Sequence, residues 1–276
     1  MSYSYARRYT GPVTAVVFDW AGTMIDFGSQ APVMAFTRLF SDQGVAITVA
    51  EARAPMGVEK RQHIACLLAM PRVAEAWRAT HGRVATEADI DQLYADFIPL
   101  QTAVIAERSI LIPGAAETVA FLQDNDIRVG ANTGYAREMI GEMVKRAAEQ
   151  GYAPDSCVCA TDVPCGRPFP HMLWQNLMEL KVEAVQSVVK VDDTIAGIEE
   201  GLNAGCWTVA VAVSGNEVGF DLAEWDGLSE AVQDRLRMAA AARLQQAGAH
   251  YVIDSVVELP AVIDDIEARL SEGEQP

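Results

Sequence analysis

The strongest constraint on the fold is an interruption. Val13-Thr14-Ala15-Val16-Val17-Phe18 is a short, apolar, β-branched run of the kind that makes a buried parallel strand, and it ends in Asp19. From about residue 30 to residue 106, however, only helical signals occur. Thr48-x-x-Glu51 forms a capping box, Val58 to Ala69 has amphipathic spacing, and Pro71 suits the first turn of a helix that includes Trp77. Thr86 opens a further helix, which Pro99 is expected to kink or end.

After Ile112-Pro113-Gly114 the texture changes to alternation. Strands are predicted at Ile127–Ala131, Cys157–Ala160, Ser187–Val191, Trp207–Val211 and Tyr251–Ile253. Helices are predicted between them at Ala136–Glu149, Met172–Leu180, Ile195–Leu202 and Ser229–Gln246. Such alternation implies right-handed crossovers and a parallel sheet with helices on both faces. The expected architecture is α/β: a Rossmann-like parallel sheet core, residues 1–27 and 107–276, with a helical cap, residues 28–106, inserted after the first strand. The acidic stretch Ser271 to Pro276 is expected to fray.

The charge balance removes several functions. The formal net charge is −17, and no Lys/Arg stripe is present to track a phosphate backbone, so no nucleic-acid partner is expected. A small anionic substrate stays open, because it needs only a few cations in one cleft. The apolar runs fall short of a membrane span, and Met1 to Thr10 is polar without an apolar export segment. No membrane association is expected, and the cytoplasm is the expected compartment. Cys66, Cys157, Cys159, Cys165 and Cys206 are odd in number, which suits buried reduced thiols better than a disulfide framework.

In open parallel sheets, ligands bind beyond the carboxyl ends of the strands. Four polar segments fall at such ends. Asp19 closes the first strand, and Gly22 and Thr23 follow in a tight turn whose N–H groups can cradle an anion. A carboxylate there can ligate a cation or attack phosphorus. Asn132-Thr133-Gly134 follows the second strand and can hold phosphoryl oxygens at a helix start. Arg167, in Gly166-Arg167-Pro168-Phe169-Pro170, is a cation on a stiff loop. Asp192-Asp193-Thr194 closes another strand and can complete an oxygen shell for Mg²⁺. Each segment alone has an ordinary explanation as a turn, a cap or a surface charge; the ordered set of four is far more specific.

These segments resemble the motifs of the haloacid dehalogenase superfamily. Its phosphatase pattern, D-x-D-G-T, stands here as Asp19-Trp20-Ala21-Gly22-Thr23, with Ala21 replacing the acid that protonates an ester leaving group. That departure, with Met56-Gly57-x-x-Lys60-x-x-His63, Asn132-Thr133-Gly134-Tyr135, Gly166-Arg167-Pro168 and Asn203-Ala204-Gly205-x-Trp207, is similar to the phosphonatase branch, the phosphonoacetaldehyde hydrolases. The resemblance implies a Mg²⁺-dependent homodimer acting on a small phosphonate, in degradation of 2-aminoethylphosphonate. It implies a nucleophilic Asp19 and a Schiff-base Lys60, with His63 as a proton shuttle. Mg²⁺ would be held by Asp19, Asp193 and the Ala21 carbonyl, with Asp192 behind or among them. Gly22, Thr23, Met56, Thr133, Gly134, Tyr135 and Arg167 would contact substrate.

The chemistry suits that reading. Breaking a carbon–phosphorus bond leaves an electron pair on carbon, and an imine beside that carbon accepts the pair as an enamine. No ester oxygen departs, so no acid is needed at Ala21. Phosphomonoesterase or phosphosugar mutase activity on the same fold is the alternative, and a non-catalytic acidic interaction module is the non-enzymatic one.

Overall fold

The computed structural model describes residues 8–276, so most of the polar stretch Met1 to Thr10 lies outside the described residues. In chain order the first half holds β1 (Ala15–Phe18), α1 (Gln30–Asp42), α2 (Val49–Arg53), α3 (Lys60–Ala69), α4 (Pro71–His81), α5 (Glu87–Arg108) and α6 (Ala115–Asp124). There follow β2 (Arg128–Thr133), α7 (Gly141–Glu149), β3 (Ser156–Cys159), α8 (His171–Glu179), β4 (Val188–Asp192) and α9 (Ile195–Ala204). The chain closes with β5 (Trp207–Val211), α10 (Leu222–Asp226), α11 (Glu230–Gln246), β6 (Tyr251–Ile253) and α12 (Leu259–Ser271).

The six strands of the described residues lie in one parallel sheet of order β3-β2-β1-β4-β5-β6. Side chains alternate across a strand, so the apolar runs feed two layers. Val16 and Phe18 pack with Val129 and Val191 on one face, and Ala15 and Val17 with Leu173 and Val188 on the other. Phe18 pairs with Ala131 on one side and Val191 on the other. The register therefore sets Asp19 level with Asn132 and Asp192 at the centre of the sheet, where strand order switches direction.

Helices α1 to α5 intervene between β1 and β2, and their apolar residues, Phe36, Leu67 and Phe97 among them, join the same cluster as Val16 and Phe18. The two chain segments that join them to the sheet touch: Asp26 N–H donates to Ile110 O at 3.0 Å, and Ile25 bridges Leu111.

Three expectations change. Pro99 does not end its helix; α5 continues to Arg108. A mid-helix proline costs about 3 kcal/mol, and α5 offsets it by burying Ile90, Leu93, Phe97 and Ile105 along one side. The acidic end is tied back rather than frayed, since Gln275 exchanges hydrogen bonds with the backbone of Tyr9 at 3.3 and 3.1 Å. All five cysteines are free, but only Cys159 and Cys206 are buried; Cys66 and Cys157 are half-buried and Cys165 is exposed. Among the described residues no helix is long and apolar enough to cross a membrane.

Candidate active site

Three carboxylates converge where the register brings β1 and β4 level. Asp19, Asp192 and Asp193 are buried, and each offers an oxygen within 4.8 Å of the others. Behind Asp19 the chain turns sharply: the carbonyl of Trp20 accepts N–H bonds from Thr23, Met24 and Ile25, while the Ala21 carbonyl takes no part. Gly22 is left-handed at φ 87°, and a Cβ there would lie 2.2 Å from an Asp193 oxygen, so only glycine lets the turn close over that carboxylate. Thr23 Oγ1 donates to Asp193 Oδ1 at 3.3 Å. The backbone N–H of Asn216 donates to Asp193 Oδ2 at 2.8 Å.

Burial and like charge strain this cluster electrically. Burial pushes Asp19 up to about 6, opposed by Arg167. Asp193 is pushed well above the usual carboxylate range by burial, then by Asp19 and Asp192. Asp192 goes the other way: burial raises it, but Arg167 and Lys190 more than offset that. Its Oδ1 accepts from Thr194 N–H and Oγ1 at 3.0 and 2.7 Å, and its Oδ2 lies 2.9 Å from Lys190 Nζ and 3.2 Å from Arg167 Nη2. Asp192 thus lies beside two cations and Asp19 beside one, whereas Asp193 has no ion-pair partner among the described residues. An all-oxygen, carboxylate-rich set of this type suits a hard divalent cation.

Arg167 is buried beside the nucleophile candidate. Its Nη2 lies 2.8 Å from Asp19 Oδ1 and donates to Asn132 Oδ1 at 2.6 Å; its Nε donates to Glu200 Oε2 at 3.0 Å. Among the described residues Nη1 has only Gly57 O, at 3.5 Å, and is the guanidinium nitrogen with donor capacity to spare. Thr133 ends β2, and its Oγ1 accepts from Tyr135 N–H at 3.2 Å.

Across the pocket stands the cap. Lys60 is the first residue of α3, which Glu59 caps by accepting from Arg61 and Gln62 N–H. The lysine is buried, with Nζ 4.8 Å from the ring centre of Tyr135 and 5.8 Å from that of Phe36. No carboxylate among the described residues lies within salt-bridge reach of it. Burial pulls its pKa down to about 8, Asp19 resisting and Arg167 assisting. Asp19, Ala21, Met56, Gly57, Lys60, Thr133, Gly134, Tyr135 and Arg167 line one pocket.

The cap seats on the core through two glycines. A Cβ on Gly57 would lie 2.3 Å from Thr194 Oγ1, and one on Gly134 would lie 2.7 Å from the carbonyl of Val58. Gly134, expected as a substrate contact, thus also admits the cap backbone. His63 is buried and stacks on Phe36 with ring centres 3.9 Å apart. Its Nε2 must donate to Ala52 O, 2.9 Å away, which leaves Nδ1 buried without a partner. Burial, then Lys60, pushes its pKa well below the ordinary value, so the ring is neutral near pH 7 rather than half-titrated.

The haloacid dehalogenase-like hydrolase model matches residues 13–205. Phosphonoacetaldehyde hydrolase of Hahella chejuensis is 54% identical over 276 residues, covering 100% of this chain and 94% of that protein. The chain belongs to the haloacid dehalogenase-like hydrolases and, within them, to the phosphonoacetaldehyde hydrolase family. A crystal structure of a phosphonoacetaldehyde hydrolase-like protein from Oleispira antarctica superposes with a TM-score of 0.98 at 50% identity, covering 100% of both chains. β-Phosphoglucomutase from Clostridium difficile shares the fold alone, with a TM-score of 0.64 at 16% identity over 93% of this chain and 98% of that one.

Several functional positions escape a reading of motifs. Lys190 and Glu200 are fully buried and complete the network around Arg167 and Asp192: Lys190 Nζ donates to Asn132 Oδ1 at 2.7 Å, and Glu200 accepts from Asn132 Nδ2 at 3.1 and 3.2 Å. A signal for Lys190 existed, since it is the lone charge inside the strand Val188–Asp192 before its carboxyl end. Phe36 and Asn216 carried none.

Proposed function

We propose that this hydrolase cleaves the carbon–phosphorus bond of phosphonoacetaldehyde to acetaldehyde and phosphate, with Lys60 as the imine-forming amine and Asp19 as the nucleophile. The observation that carries the reading is Lys60 itself: a buried lysine, without a carboxylate partner, lining the same pocket as Asp19 and Arg167. Burial costs an unpaired ammonium heavily, so Lys60 gives up its proton far more readily than a free lysine, and the neutral amine attacks an aldehyde.

Lys60 condenses with the aldehyde, losing water, and the imine withdraws electrons from the carbon that bears phosphorus. Asp19 Oδ attacks phosphorus; the C–P electron pair moves into the imine, protonated on its nitrogen, and gives a neutral enamine on Lys60. Arg167, through Nη1, and Thr133 bind the phosphonyl oxygens and oppose the growing charge. Protonation of the enamine carbon and hydrolysis of the imine release acetaldehyde, and water cleaves the aspartyl phosphate. Nδ1 of His63 is the unpartnered atom of that ring, open to relay a proton near Lys60 but, with its pKa held low, not to store one.

The carboxylate cluster fits Mg²⁺, because Asp193 is driven towards protonation by burial and then by two neighbouring carboxylates, whose charge a divalent cation would neutralise. Asp19, Asp193 and the Ala21 carbonyl would hold it, with Asp192 orienting the set from behind. Bound there, the cation supplies charge neutralisation for phosphoryl transfer. A homodimer acting in the cytoplasm completes the proposal. Trp174 and Met178 lie exposed one turn apart on α8, with Phe169 exposed just before it, and offer an apolar face for self-association.

The test is sodium borohydride. Added with phosphonoacetaldehyde, it should reduce the imine and leave a stable adduct on the peptide carrying Lys60, found by mass spectrometry. Turnover of phosphonoacetaldehyde without any adduct would remove the imine from the mechanism. Turnover of phosphate esters alone would favour the phosphatase alternative.

A further inference from the structure

Arg53, the last residue of α2, is half-buried between the cap and two core segments. Its Nη1 donates to Gly28 O at 2.9 Å, to Asn216 Oδ1 at 3.1 Å and to Ser29 O at 3.4 Å. Its Nη2 donates to Gly219 O at 2.9 Å. Asn216 answers with Nδ2, which donates to the carbonyl of Arg53 at 3.5 Å. A single guanidinium thereby ties the cap to its own entry segment and to the loop 214–219 that follows β5.

That loop has the carboxylate cluster on its other side. The N–H of Asn216 is the one that bonds Asp193 Oδ2, and a Cβ on neighbouring Gly215 would lie 2.5 Å from the Asp193 Cβ. Ser214 Oγ donates to Gly22 O at 3.1 Å, so the loop also touches the turn behind Asp19. Its shape is fitted to the guanidinium: Gly219 is left-handed at φ 69°, and a Cβ there would lie 2.7 Å from Arg53 Cζ. Burial lowers the pKa of Arg53, opposed first by Asp193 and then by Asp26, Glu217 and Glu224, which surround the guanidinium with negative charge.

We propose that Arg53 is a positioning residue that locks Asp193 when the cap is seated, acting through Asn216, so that closing the cap and fixing the metal-binding carboxylate are one event. The proposal rests on the reading of Asp19 and Asp193 as a Mg²⁺ site. Arg53 and Lys60 belong to adjacent helices of the same cap. A cap that lifts withdraws both together, removing the amine and slackening the loop that aims Asp193. The committed geometry is then assembled only around an enclosed substrate.

Mg²⁺ binding measured by titration calorimetry tests this without turnover. Removing a partner that orients a metal ligand typically weakens affinity by about 10- to 100-fold. Arg53→Met is therefore expected to bind Mg²⁺ about tenfold more weakly and to lose kcat more than it raises KM. Arg53→Lys, which keeps the charge but not the fork, should recover only part of the affinity. If the path runs through Asn216, the double variant Arg53→Met with Asn216→Ala should be no weaker than the weaker single variant. Wild-type affinity in Arg53→Met, or losses that add in the double variant, would overturn the proposal. Should Arg53→Met fail to fold, wild-type affinity in Arg53→Lys would overturn it equally. Failure of the wild-type chain itself to bind Mg²⁺ would instead sink the metal reading, and the lock with it.

Discussion

The two walls of the active site treat buried charge in opposite ways. On the core side Asp19, Arg167, Lys190, Asp192 and Glu200 are all buried, and each lies within ion-pair distance of an opposite charge. On the cap side Lys60 is equally buried and faces two aromatic rings instead. Paired charges hold one another in place; the pKa of the unpaired Lys60 is pulled down to about 8 by burial, which suits the reagent proposed here. Lys190 and Lys60 are the same residue with opposite duties, and the difference is the company each keeps.

Exchanging those duties should do the most damage. Lys60→Arg keeps a cation but cannot form an imine, and acetaldehyde release from phosphonoacetaldehyde should fall by roughly a thousandfold or more. Activity within tenfold of wild type would dissolve the contrast between the two lysines. Lys190→Met attacks the opposite wall. It strips one of the two cations from Asp192 and Glu200, and breaking a buried pair of this kind costs about 3–5 kcal/mol, visible as a lower midpoint in urea unfolding. An unchanged midpoint would mean that Arg167 alone satisfies both carboxylates.

Gly134→Ala probes the seam between the walls. The added methyl would meet the Val58 carbonyl at 2.7 Å, so the cap could not seat fully. A loss of about tenfold in kcat/KM with little change in stability is expected. The smallest effect is a displaced pH profile. The amine form of Lys60 grows as pH rises through its pKa of about 8, so kcat/KM should climb below that pH and level above it. Met56→Glu would place a carboxylate in the same pocket and favour the ammonium, moving the rise upward by about one pH unit. A profile insensitive to that change would separate the rise from Lys60.

Much of the scaffold was legible because burial writes itself into sequence. Trp207–Val211 and Tyr251–Ile253 are strands over the residues expected, since each is a short apolar run between turn signals. At the site, Asp19, Lys60, Thr133, Gly134, Tyr135 and Arg167 do line one pocket, but the upward push on Asp19 comes from burial that the motif does not display. His63 looked suited to proton transfer near neutral pH, yet burial and the neighbouring ammonium keep it neutral there. Asn216 was invisible because it acts on Asp193 through a backbone N–H, which almost every residue possesses. Arg53 reads as an ordinary basic residue in the last turn of a short helix; only the folded loop 214–219 reveals what it grips.

The hydrogen bond between Asp26 and Ile110 has an evolutionary corollary. The chain leaves the sheet and returns to it at a single point, so the eighty-odd residues between behave as a cassette clipped into a socket. A lineage that rewrote that cassette would keep the three aspartates at the sheet beneath it, but would give up the lysine in the pocket and the Arg53 grip on loop 214–219.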